Sequence, residues 1–137
     1  MEDLVIHDSF GFTGGGLVVS ENAIGYLGRS TMSESLATGL GGGAIWNLGT
    51  LWVYDSTLHG NQSNRAGAIQ NNASGQLNLR NVTISGIRAD VDDPAGALGV
   101  GGIQQNGFSV LNNVTINGNE GTFNRAGGIH MWPARRR

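Results

Sequence analysis

Three groups of side chains in this 137-residue chain have the types that chemistry or recognition requires. His7, Asp8 and Asp55 supply an imidazole and two carboxylates, the set a hydrolase uses to move a proton and activate water. Glycoside hydrolysis in particular needs two carboxyl groups flanking the scissile bond. Tyr26, Trp52 and Tyr54, together with Arg80, supply rings beside a guanidinium, which would make a stacking platform for a sugar or a protein side chain. Asp90, Asp92 and Asp93 bring three carboxylates close together in sequence, hard oxygen ligands of the kind that bind Ca²⁺. They lack the Gly and the distal Glu of an EF-hand loop, so a solvated loop is the expectation and no metal is assigned.

Other chemistries have no residues to run on. There is no Gly-x-Ser-x-Gly elbow, no phosphate-binding loop with its Lys and no His-Glu-x-x-His. The absence of Cys removes disulfides, thiolate metal sites and a cysteine nucleophile. His7, His59 and His130 are far apart in sequence and need not converge. No cofactor is expected.

These groups need a scaffold, and the composition narrows it. Gly accounts for 24 residues, charged residues for only 13%, and every basic side chain is Arg. Gly and Asn favour turns and left-handed backbone, so long helices are not expected. A hydrophobic content of 39% and a net charge of −2 do not fit a solvated coil. The one basic cluster, Arg135-Arg136-Arg137, reads as a solvated tail, so nucleic acid is not an expected partner. The acidic start, MEDLVIHDSF, has no apolar run of signal-peptide type, and no stretch has the length of a membrane span.

Repetition dictates the fold. Ile45, Ile69, Ile103 and Ile129, each preceded by Gly-Gly or Gly-Ala, stand 24, 34 and 26 residues apart. Val19, after Gly14-Gly15-Gly16, extends the series backwards by 26. Thr31, Thr57, Thr83 and Thr115 recur at spacings of 26, 26 and 32, each followed by a large apolar residue. Before them run alternating pairs: Leu51 and Val53, Leu77 and Leu79, Ser109 and Leu111. Leu4 to Ser9 reads as a partial first copy of that alternating stretch. A unit of this size cannot bury its own apolar side, but stacked units can. The expected fold is all-β, a right-handed parallel β-helix of about five coils, one domain over 1–137. The long gap after Ile69 is expected to hold an insertion loop at about 88–99.

Stacking turns sequence positions into columns. Val19, Ile45, Ile69, Ile103 and Ile129 are expected inside, with Met32, Leu58, Ile84 and Ile116, and with Leu27, Val53, Leu79 and Leu111. Asp8, Arg29, Asp55, Asn81 and Asn113 are expected to share a polar column, with Arg29 between two aspartates. Trp46, Gln70, Gln104 and His130 form another outward column, whose glutamines could bond to one another. His7 and Arg80 are expected on the same strip as Tyr26, Trp52 and Tyr54.

Gly-Gly-Ala-Ile, with apolar-x-x-Asn at Leu58 to Asn61 and Ile116 to Asn119, resembles the repeat of polymorphic outer-membrane proteins and other large bacterial β-helix surface proteins. The resemblance covers about residues 14–130. Leu or Ile stands where that family has Phe, and Ile87 stands where Asn is expected. The resemblance implies a secreted or cell-surface location and a module of adhesin type. A non-catalytic module presenting Tyr26, Trp52, Tyr54 and Arg80 to a glycan or a protein is the favoured function. A small hydrolase or glycan-cleaving enzyme using His7, Asp8 and Asp55 is the alternative. Ice binding by the Thr ladder comes third, since its companion residues Ser33, His59, Ser85 and Asn117 are not uniform. Open solenoid ends are expected to drive homo-oligomerisation.

Overall fold

The computed structural model describes residues 1–39, 41–89, 99–121 and 126–131. The chain opens with β1 (Val5–His7), β2 (Phe10–Gly11) and β3 (Leu17–Val19). A second set follows as β4 (Ile24–Gly28), β5 (Thr31–Ser33), β6 (Leu36–Ala37) and β7 (Ile45–Asn47). The next contains β8 (Thr50–His59), β9 (Gln62–Ser63) and β10 (Ile69–Asn71). Then come β11 (Gln76–Ser85), β12 (Arg88–Ala89) and β13 (Ile103–Gln105). The described strands end with β14 (Phe108–Asn117) and β15 (Ile129–Met131).

Every named pairing is parallel, and the strands stack into three sheets. The largest runs β1-β5-β8-β11-β14, with β4 also on β8; the others run β15-β13-β10-β7-β3 and β12-β9-β6-β2. The result is a parallel β-solenoid of about four turns. The expected count of five is one too many, because five stacked strands enclose only four steps between them. There is no helix among the described residues, and so none long and apolar enough to cross a membrane. Residues 90–98, most of the expected insertion, lie outside the described residues. On either side of them β9 pairs with β12 and β10 with β13, so the stack is in register before and after.

The bends come from backbone conformation. At one corner Asp3, Arg29, Asp55, Asn81 and Asn113 have φ of 55°, 46°, 50°, 53° and 52°. At the next, Asp8, Glu34, Gly60, Gly86 and Gly118 have φ of 52°, 53°, 63°, 62° and 59°. One left-handed residue turns an extended chain sharply without ending its pairing, and Gly, Asn and Asp reach that region at least cost. Gly60, Gly86, Gly118, Asn81 and Asn113 are residue types that meet this corner requirement.

The interior is a stack of aliphatic side chains. Met32, Leu58 and Ile84 lie in register, as do Leu27, Val53 and Leu79, and all six are at most 1% exposed. Each such Leu or Ile contributes about 1.5–3 kcal/mol on burial. One expected assignment is corrected at the N-terminal end: Leu17, not Val19, pairs with Ile45, and Val19 pairs with Asn47. Gly16 and Leu17 both donate their amides to the Ala44 carbonyl, so this copy is 28 residues from the next. A second correction concerns Val5-Ile6-His7, which pairs with Thr31-Met32-Ser33 and is a copy of the Thr motif rather than of the stretch before it.

Polar ladders complete the core. Asn47 Nδ2 donates to Asn71 Oδ1 at 2.8 Å, and Asn71 Nδ2 to Gln105 Oε1 at 3.1 Å. The neighbouring column of Trp46, Gln70 and Gln104 has the expected register but not the expected bonds. Gln70 and Gln104 are 1% and 3% exposed, and neither Oε1 accepts a hydrogen bond. Asn61, fully buried, accepts from the Ser35 amide at 3.0 Å and donates to the Met32 carbonyl at 2.9 Å. Asn119 makes the same pair of bonds to Ile87 and Ile84. The apolar-x-x-Asn motif therefore stitches one turn to the turn before it.

Candidate functional site

Strand alternation sends Leu51 and Val53 inward and leaves Trp52 and Tyr54 on the outer face of the largest sheet. The parallel register then sets Tyr26 beside Trp52, and Asn78 and Val110 beyond it. A second outer row reads Gly28, Tyr54, Arg80 and Asn112. Tyr26 and Trp52 lie parallel, with ring centroids 6.5 Å apart and planes 11° apart. They are 54% and 44% exposed, so this aromatic pair is not core.

The two rows line a groove of about 440 Å³. Its floor is Val53 and Leu79, its aromatic side is Tyr26, Trp52 and Tyr54, and Asn78, Arg80 and Asn112 supply polar groups. Tyr26, Trp52, Tyr54 and Arg80 are thus brought together. Asn78, Val110 and Asn112 were not singled out from the sequence, although adding the spacings of 26 and 32 to Trp52 and Arg80 reaches them.

Tyr54 is held from the N-terminus. Its hydroxyl donates to Glu2 Oε1. Arg29 donates from Nη2 to Glu2 Oε2 at 2.7 Å and spans Asp3 with bonds of 2.9 and 2.7 Å. The Tyr54 bond, and then Arg29, hold the Glu2 carboxyl below its usual range, while the Arg29 bond does the same for Asp3. The Glu2 carboxylate in turn raises the Tyr54 phenol. Arg80, by contrast, has no carboxylate within ion-pair distance among the described residues.

The catalytic candidates are not gathered together. Asp3, not Asp8, is the first-turn partner of Arg29. Asp55 accepts from Asn81 Nδ2 at 2.8 Å, and Asn81 accepts from Asn113 at 2.7 Å, the amide ladder expected at that corner. Asp8 belongs to the other corner, one strand away from Asp55 and two turns before it. His7 is likewise on the strand after the aromatic strip, beside Ser33 in register. Its Nδ1 is 3.0 Å from Ser33 Oγ and its Nε2 is 3.0 Å from Asp8 Oδ2, with the His7 and Asp8 side chains 54% and 71% exposed. His59 repeats the contact two column steps later, 3.3 Å from Ser85 Oγ, but Gly60 stands where Asp8 does.

No group of three or more His, Asp or Glu among the described residues is placed to hold a metal ion. Asp90, Asp92 and Asp93 lie outside the described residues. No protein-family model, curated protein or solved structure matches this chain. The functional reading therefore rests on the geometry of the groove and its neighbours.

Proposed function

We propose that this protein is a non-catalytic recognition module that binds a glycan in the aromatic groove. The observation that carries the reading is the parallel Tyr26 and Trp52 pair opening onto a groove edged by Asn78, Arg80 and Asn112. A sugar ring has apolar C–H faces and polar hydroxyl edges. Aromatic faces beside amide and guanidinium groups match both. On a glycan array, the chain is expected to retain a defined set of sugars, and Trp52→Ala to weaken that binding at least about tenfold, which is about 1.4 kcal/mol. Binding unaffected by Trp52→Ala would refute the assignment. The likeness of the Gly-Gly-Ala-Ile and apolar-x-x-Asn repeats to bacterial surface proteins gives such a module a secreted or cell-surface setting.

The hydrolase reading has one observation in its favour, the Ser33, His7 and Asp8 chain of contacts. Serine, imidazole and carboxylate in that order are the parts of a nucleophile with its base and orienting acid. The chain is half exposed and the groove lies on another strand, so water would reach the imidazole freely. Ester or glycoside cleavage lost in both Ser33→Ala and His7→Ala would establish it.

The same module is proposed to associate through its C-terminal end. Leu111 and Ile129 are 38% and 37% exposed, whereas Leu79 and Ile103 in the same columns are 1% exposed. The outer edge of the ten-residue β14 pairs with no described strand. Long apolar edges recruit other strands, and a second copy of this chain offers an equal edge.

A further inference from the structure

We infer that the ligand is a linear acidic oligosaccharide laid along the strand direction, with an anionic sugar over Arg80 and further sugars crossing into a second, polar groove. The inference rests on the glycan reading above and adds the ligand's charge, length and direction.

The second groove, of about 400 Å³, lies at the turns that lead into β4, β8 and β11. Ile24, Thr50 and Gln76 line it, each two residues before Tyr26, Trp52 and Asn78 of the aromatic groove. Alternation puts residues two apart on the same face, so the two grooves share one outer surface. From Glu21 at the far side to Arg80, the path crosses rows in register, about 7 Å per row. A ligand confined to one groove leaves the other unused, whereas a chain running across the turns occupies both.

Charge gives the chain its direction. Arg29 is paired with both Glu2 and Asp3, while Arg80, in the aromatic groove, has no carboxylate partner among the described residues. A guanidinium presents paired donors that fit a carboxylate or a sulfate. Glu21 lines the opposite groove, so an anionic sugar is disfavoured there. The acid of the ligand belongs at the Arg80 end, and neutral hydroxyls belong near Glu21, Thr50 and Ser74.

Titration calorimetry on the full chain tests this with three series of equal linkage and increasing length: neutral, uronic-acid and sulfated oligosaccharides. Acidic members are expected to bind at least tenfold more tightly than neutral ones, and affinity is expected to rise from disaccharide to tetrasaccharide. The carboxylated and sulfated arms identify which anion is preferred. Arg80→Gln is expected to erase the acidic preference, bringing acidic members to the affinity of neutral ones, and Thr50→Trp to remove the gain with length. Circular dichroism of each variant checks that it folds; Arg80→Lys, which keeps the charge, should retain part of the preference. Equal binding of neutral and acidic sugars, or no effect of Arg80→Gln, overturns the inference but leaves the glycan reading intact if Trp52→Ala still weakens binding. Failure of every series to bind overturns both.

Discussion

The Tyr54 ring lies over Gly28 of the preceding turn, so closely that a Cβ on Gly28 would come 2.2 Å from Tyr54 Cζ. The missing side chain is what lets Tyr54 lean across and bond to Glu2 while still lining the groove. Gly28 itself is outside the left-handed region, so its backbone tolerates a side chain. Gly28→Ala is expected to displace the ring and break the Glu2 bond, lowering the melting temperature at neutral pH as Tyr54→Phe does. Spectrophotometric titration should show the Tyr54 phenol returning toward its ordinary value, with weaker ligand binding. An unaltered phenol titration would contradict this.

The buried Asn61 and the exposed Asn81 separate two kinds of amide. Asn61→Ala leaves the Ser35 amide and the Met32 carbonyl buried and unpaired, and is expected to cost about 3 kcal/mol in denaturant unfolding. Asn81→Gly keeps access to the left-handed corner and removes only exposed bonds, so a change within about 0.5 kcal/mol is expected. Equal losses would mean that the inner stitch is not the stronger one.

Leu79 and Leu111 occupy one column but different depths. Leu79→Ala opens a cavity in the middle of the stack, with an expected loss of about 2–5 kcal/mol. Leu111→Lys places a charge at the exposed end. Light scattering is expected to find a dimer at micromolar concentration and a monomer for the lysine variant; a monomeric parent chain would rule out the end-to-end contact.

The Glu2 and Tyr54 bond makes the anchoring of the N-terminus depend on pH at both extremes. The folded Glu2 value is lowered, so its contribution is present above the ordinary 4.5 and lost as pH falls through the lowered value. The folded Tyr54 value is raised, so its contribution is present below 10.0 and lost as pH rises through the raised value. Melting temperature measured against pH should fall at both ends, and Tyr54→Phe should flatten both slopes. A Tyr54→Phe profile that overlays the parent would show that the bond contributes nothing.

Repeat spacing made most of the fold readable. Thr57 to Thr83 and Thr83 to Thr115 fix which residues stack, and from there the inner column of Met32, Leu58 and Ile84 and the outer pair of Tyr26 and Trp52 follow by alternation. The reading failed where the spacing changes. At Gly14-Gly15-Gly16 several alignments satisfy the glycines, and only the two amides meeting at the Ala44 carbonyl select Leu17 for the column. At the N-terminus a short apolar run fits either strand of the repeat, and only the pairing of Val5–His7 with Thr31–Ser33 places His7 and Asp8 off the aromatic strip.

The sequence by itself therefore determined the solenoid, its aliphatic interior and the outward aromatic row, because a strand period of two and a repeat near 26 residues leave each side chain one direction and one set of neighbours. Only the tertiary structure decided that Tyr54 is tied to Glu2, that Asn61 is an internal stitch, and that Arg80, beside Tyr54 in register, has no carboxylate partner among the described residues while Arg29 has two. Those depend on how far each side chain reaches across a turn and on which corner a residue occupies, and periodicity carries neither distance.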